Sequence, residues 1–211
     1  MNGASHDLII HPQDGPELEA ELAFGDRDVV RPAIVLCHPH PQYGGTMRSL
    51  VISVLFAELS AVGFACLRFN FRGVERSTGT YDDGRGEQLD VVAAVETMAD
   101  AVPAAPIALV GWSFGADVSL NVGDPRVAGW VAIAPPLRFQ PTFVAASDPR
   151  PKHVVLAAHD EFRAAPDAQA TVAGWAATTV AVVAGATHFF VGRTDRVVTE
   201  TLAGLARIGT P

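Results

Sequence analysis

The chain predicts an α/β fold, a mostly parallel sheet covered by helices on both faces. Two observations carry this expectation. Short apolar, β-branched runs alternate along the chain with longer segments of helical period. Strands that alternate with helices need crossover connections, and crossovers place successive strands in parallel. The second observation is size: 211 residues, 49% hydrophobic and 18% charged, suit one domain over 1–211 with a sizeable core.

The first two runs, 7–10 and 18–24, read as leading strands around the turn signal Pro12-Gln13-Asp14-Gly15-Pro16. Residues 33–37 read as a short buried strand. Met47, Leu50, Val51, Val54, Leu55, Leu59 and Val62 then form one helical stripe, closed by Gly63 as a C-terminal cap. A strand at 64–69, a glycine-rich loop at 72–86 and a helix at 87–99 follow. Next come a strand at 107–110, a helix at 114–122 and strands at 127–134 and 153–158. Pro166 suits the first turn of a helix at 166–177. A last strand at 179–184 and a closing helix at 194–208 complete the alternation.

The net charge of −8, with no lysine or arginine cluster, excludes a nucleic-acid partner. Cys37 and Cys66 each lie inside an apolar run and read as buried free thiols, with no disulfide framework. Residues 1–14 lack a basic segment followed by a long apolar one, and no run reaches membrane-spanning length. A cytoplasmic protein without a membrane partner is expected. The oligomeric state is not written in the sequence.

Residues 111–115 read Gly-Trp-Ser-Phe-Gly directly after the apolar run 107–110. A G-x-S-x-G between strand and helix is the setting of a nucleophile elbow, in which a tight turn pushes the serine hydroxyl out at the sheet edge. Ser113 is thus the candidate nucleophile. A hydroxyl needs a base. Of seven histidines, His188 follows the last strand, on the carboxyl edge where ligands bind an open α/β sheet. His153 starts a strand and belongs to the opposite edge. The base needs a carboxylate to fix its tautomer. Asp160, after the strand ending at residue 158, is the first choice, with Glu161 and then Asp195 as alternatives.

A developing oxyanion needs fixed donors. The backbone N–H of Phe114 is one candidate. The loop His38-Pro39-His40-Pro41-Gln42-Tyr43 offers His40, Gln42 or Tyr43, because proline has no N–H; His40 is preferred. This chemistry needs no cofactor. The pair His38 and His40 also spells H-x-H, which could ligate zinc, but Gln42 stands where a further ligand is wanted.

The segments HPHPQYGGTM (38–47), RFNFRGVERSTGTYDDGRGE (68–87), GWSFGA (111–116), APP (134–136), HDE (159–161) and GATHFF (185–190) together resemble the α/β-hydrolase superfamily. Within it they resemble the small cap-less bacterial serine hydrolases, of dienelactone-hydrolase or esterase type. The resemblance implies an eight-stranded sheet of order 1-2-4-3-5-6-7-8 with strand 2 antiparallel. It also implies a triad of Ser113, Asp160 and His188. Glu75 and Ala158 stand where relatives often have glycine. Caps in this superfamily follow the sixth strand, here the loop 135–151, which is too short for a domain. The serine should then open into a shallow groove lined by His40, Tyr43, Trp112, Phe139, Phe189 and Phe190. Arg72 is expected to brace its loop rather than meet substrate. The implied activity is hydrolysis of a small ester-like substrate through an acyl-serine. A binding module on the same fold and a metallohydrolase using His38 and His40 are the rival readings.

Overall fold

The computed structural model describes residues 5–26, 31–138 and 142–208. Eight strands form one sheet: β1 (Ser5–Ile10), β2 (Leu18–Ala23), β3 (Ala33–Cys37), β4 (Cys66–Phe69), β5 (Ile107–Trp112), β6 (Val127–Ile133), β7 (Lys152–Ala157) and β8 (Thr178–Val183). Their order is β1-β2-β4-β3-β5-β6-β7-β8. Strand β2 pairs antiparallel with both β1 and β4, and every later pairing is parallel. This is the expected order and sense.

Side chains on β3 and β5 alternate between two apolar clusters, as a two-residue repeat requires. Ala33, Val35, Ile107 and Leu109 face one cluster; Ile34, Leu36, Ala108, Val110 and Trp112 face the other. Helices α2 (Arg85–Ala101), α3 (Phe114–Ser119) and α5 (Ala165–Val172) supply the first face, and α1 (Leu50–Ala61) and α6 (Thr194–Ile208) the second. A single turn, α4 (Val144–Ser147), stands in the loop after β6. No helix among the described residues is long and apolar enough to cross a membrane.

Three boundaries differ from expectation by three residues or more. The helical stripe begins at Leu50, because Met47 lies in the preceding turn and its N–H donates to Asn70 Oδ1 at 2.8 Å. Its C-terminus is as read: Gly63 has φ +93°, and Phe64 N–H donates back to Leu59 O. The helix expected at 166–177 stops at Val172, where Trp175 N–H turns back to Val172 O. The helix expected at 114–122 stops at Ser119 and passes into turns.

Among the described residues no cap domain stands after β6. The buried Asp117 carboxylate of α3 instead accepts the N–H groups of Leu137 (3.0 Å) and Arg138 (3.1 Å), and Ala145 N–H donates to Leu120 O. The described part of the loop is thereby tied down beside the sheet edge. The loop after β4 is held by Arg72, buried and bonded to Asp90 through Nε (3.0 Å) and Nη2 (2.7 Å) and to Asp14 through Nη1 (2.8 Å). A Cβ at Gly86 would fall 2.2 Å from Arg72 Nη1, so glycine lets the guanidinium lie flat on α2. Glu75 adopts φ +48° and accepts from Asn70 Nδ2 at 2.8 Å.

Candidate active site

Ser113 sits at φ 55°, ψ −122°, a region that costs a non-glycine residue roughly 1–3 kcal/mol. The surrounding glycines allow it. A Cβ at Gly111 would lie 2.4 Å from Gly115 O, and one at Gly115 would lie 2.3 Å from Cys37 O. The sharp turn and the close approach of α3 to β3 both depend on those missing side chains. Ser113 N–H extends the ladder to Ile133 O at 2.8 Å. The strained backbone therefore has fixed anchors.

The structure brings Ser113, His188 and Asp160 into one row. His188 Nε2 lies 2.8 Å from Ser113 Oγ, and Nδ1 lies 2.8 Å from Asp160 Oδ2. A carboxylate can only accept, so Nδ1 carries the hydrogen and Nε2 is left to accept the serine hydroxyl. Asp160 is itself fixed: its Oδ1 accepts the N–H groups of Phe162 (2.9 Å) and Arg163 (3.1 Å). The His188 and Asp160 side chains are 5% and 4% exposed, so solvent does not compete for these bonds.

The sequence left Asp160 and Glu161 as alternatives, and both reach His188 at different atoms. Glu161 Oε2 accepts the main-chain N–H of His188 at 3.0 Å. Trp112 Nε1 donates to His188 O at 3.2 Å. Each polar atom of His188 thus has a named partner. The roles of Glu161 and of the Trp112 indole N–H had no sequence signal beyond proximity to their motifs. Asp195 begins α6, and no bond to His188 is found for it.

Around Ser113 opens a cavity of about 780 Å³, lined by His40, Tyr43, Trp112, Phe162, His188 and Phe189 among others. Tyr43, Trp112 and Phe189, read from the sequence as groove residues, are there. Phe190 is not: it is wholly buried in the cluster with α1 and α6. It takes φ +52°, and the neighbouring Phe189 is half exposed. Phe139 lies outside the described residues. Phe162, Leu50, Val191, Pro136 and Arg138 also line the cavity and were not singled out.

The loop after β3 forms a 3-10 turn at Pro41–Tyr43. Gln42 N–H donates to His40 Nδ1 at 3.3 Å and Tyr43 N–H to His40 O at 3.1 Å. Two of the three candidate oxyanion amides are therefore engaged within the turn. Tyr81 Oη lies 3.2 Å from His40 Nε2. Since Nδ1 accepts, Nε2 is the protonated nitrogen. Partial burial, followed by the charge of Arg138, holds the His40 ring below the ordinary histidine range.

His38 differs entirely. It is buried, its Nδ1–H donates to Pro39 O at 2.6 Å, and its Nε2 accepts Phe71 N–H at 3.0 Å. Burial pushes its pKa down to about 3. Both ring nitrogens serve the backbone, so His38 and His40 do not form the metal-ligating pair that H-x-H suggested. Among the described residues no group of three or more His, Cys, Asp or Glu is arranged to hold a metal.

Comparison with known proteins gives the same picture. A family model described as alpha/beta hydrolase fold matches residues 32–184. A structure from Xanthomonas campestris, described as a member of a/b serine hydrolase without lid, superposes with TM-score 0.87 at 28% identity, covering 98% of this chain and 97% of that one. An alpha-beta serine hydrolase homologue from Coxiella burnetii gives TM-score 0.83 at 31% identity, covering 95% and 97%. An uncharacterized protein of Rickettsia prowazekii is 36% identical over 129 residues, 59% of this chain, and the match spans about half, 54%, of that relative's length.

Proposed function

The chain belongs to the α/β-hydrolase fold family, and on that premise we propose that it is a serine hydrolase cleaving a small carboxylic ester through an acyl-serine. The observation that carries this reading is the row Asp160–His188–Ser113, with both contacts at 2.8 Å, ending at a cavity. In this reading His188 Nε2 takes the Ser113 proton as Oγ bonds to the ester carbon, and the carbonyl π electrons move onto oxygen. The N–H groups of Phe114 and His40 face the oxyanion. We assign the second donor to His40, which lines the cavity beside Ser113.

The tetrahedral adduct collapses as the C–O bond to the alcohol breaks, and His188 returns the proton to the departing oxygen. Water then attacks the acyl-serine, giving its proton to His188. The C–Oγ bond then breaks, His188 returns that proton to Ser113 Oγ, and the acid is released. Asp160 stays ionised and stabilises the imidazolium in both halves. Tyr43, Trp112 and Phe189 contact the substrate. The protein acts on a small molecule, in the cytoplasm, and needs no cofactor. Turnover of p-nitrophenyl acetate, abolished in Ser113→Ala of unchanged melting temperature, tests the reading; equal turnover by that variant would refute it.

A further inference from the structure

His188 stands in a cluster of rings. The Phe162 ring centroid lies 4.5 Å from that of His188, Phe189 lies 5.5 Å away and Trp112 6.3 Å away. Phe162 and Phe189 meet edge to face at 6.0 Å and 80°, and Trp112 meets Phe189 at 6.5 Å and 85°. Trp112 is buried, yet Phe162 is 49% and Phe189 48% exposed, and both line the cavity. Two half-exposed phenyl rings beside the same histidine are costly in water unless something apolar covers them. Tyr43, beside Gly44 and Gly45, also lines this cavity, but its ring packs on His40, at 4.7 Å, rather than in the cluster around His188.

The chemistry of His188 says what covers the rings. The proton it takes from Ser113 must reach the oxygen of the leaving alcohol, so that alcohol departs beside the imidazole. We propose that Phe162 and Phe189, backed by Trp112, form the leaving-group subsite, and that the preferred substrate is an ester of an aromatic alcohol. Edge-to-face rings leave faces and edges suited to a third ring. Rings could also hold a quaternary ammonium. Among the described residues no carboxylate lines the cavity, however, and Arg138 adds a positive charge to it. The subsite therefore takes a neutral alcohol. The inference rests on the acyl-serine reading above and specifies which half of the ester the aromatic wall recognises.

Benzyl acetate and methyl phenylacetate test it. They are isomers that carry one phenyl ring on opposite sides of the same ester bond, and neither alcohol is activated. The readout is kcat/KM, which reports acylation, the step in which the alcohol leaves, with each value divided by that ester's alkaline hydrolysis rate. Benzyl acetate is expected to be better by about tenfold. The preference should shrink to within about twofold in Phe162→Ala/Phe189→Ala and partly return in Phe162→Leu/Phe189→Leu, which restores bulk without the flat edge. Fluorophosphonate labelling of Ser113 runs alongside in every variant. A preference for methyl phenylacetate, or a preference unchanged by the substitutions, would overturn the proposal. So would a labelled Ser113 with neither ester turned over. An unlabelled Ser113 in folded wild-type protein would instead sink the acyl-serine reading beneath it.

Discussion

Two loops on the same sheet edge each carry a histidine that is almost wholly buried. After β3, His38 donates to Pro39 O and accepts from Phe71 N–H. After β8, His188 donates to the Asp160 carboxylate and accepts from the Ser113 hydroxyl. Residue type, burial and bond count are alike. The partners differ: backbone groups, which cannot titrate, hold the first ring, and side chains that can exchange a proton hold the second. Only the second faces the cavity. A histidine acts as a fastener or as a base according to what its two nitrogens touch.

Exchange of each for alanine should separate the two roles most strongly. His188→Ala is expected to lower kcat for p-nitrophenyl acetate by about four to six orders of magnitude, with little change in melting temperature. His38→Ala should do the reverse. It leaves Phe71 N–H and Pro39 O without their partner inside the core, at a cost of about 3 kcal/mol in urea unfolding, while the folded fraction keeps ester hydrolysis. Equal activity loss in both variants would break the comparison.

The two neighbouring carboxylates sharpen it at the next level. Asp160→Asn should cost about 10⁴ in kcat, because an amide can favour the wrong tautomer of His188. Glu161 meets only the main-chain N–H of His188, and an amide oxygen accepts as well, so Glu161→Gln should stay within about twofold. Kinetics of the two isosteric variants, side by side, checks this.

Stability against pH probes the fastener alone. Burial holds His38 near 3 against an ordinary 6.5. Its native state binds fewer protons than the unfolded chain between those values, so its contribution is intact above pH 6.5 and is lost as pH falls through that window. The slope is at most about 1.4 kcal/mol per pH unit. His40 and His153 are also lowered, first by burial, and act in the same direction. Urea titrations at several pH values should show a shallower acid slope for His38→Gln than for the wild type.

The smallest effect concerns Tyr81, whose hydroxyl meets His40 Nε2. Tyr81→Phe keeps the ring stacked near His40 and Phe114 and removes one partly exposed hydrogen bond. A fall of about threefold to tenfold in kcat, with KM held, is expected if that bond steadies the turn beside Ser113.

What could be read in the chain follows from range. The alternation of strands and helices and the placement of 111–115 at a strand end depend on local periodicity, whereas the strand order rests on the family resemblance; the glycines at 111 and 115 announce the turn that their missing Cβ atoms permit. Chain order and sheet edge likewise direct attention to residues 160 and 188. Long-range choices were not legible. Whether Asp160 or Glu161 faces the ring depends on one turn after β7. Phe189 and Phe190 look equivalent in sequence, yet the first is half exposed and the second, at φ +52°, lies in the core. Phe162 carries no periodic signal, and its place in the loop is fixed in part by its N–H donating to Asp160 Oδ1. His38 and His40 share a motif, and contacts 30 or more residues away help to give them different work.

The central claim is that Ser113 is a nucleophile activated by His188. Incubation of the folded protein with a fluorophosphonate, followed by digestion and mass spectrometry, tests it most directly. One adduct on the peptide carrying Ser113, with labelling nearly abolished in folded His188→Ala, is the predicted result. An unmodified Ser113, or labelling that persists without the histidine, would contradict it.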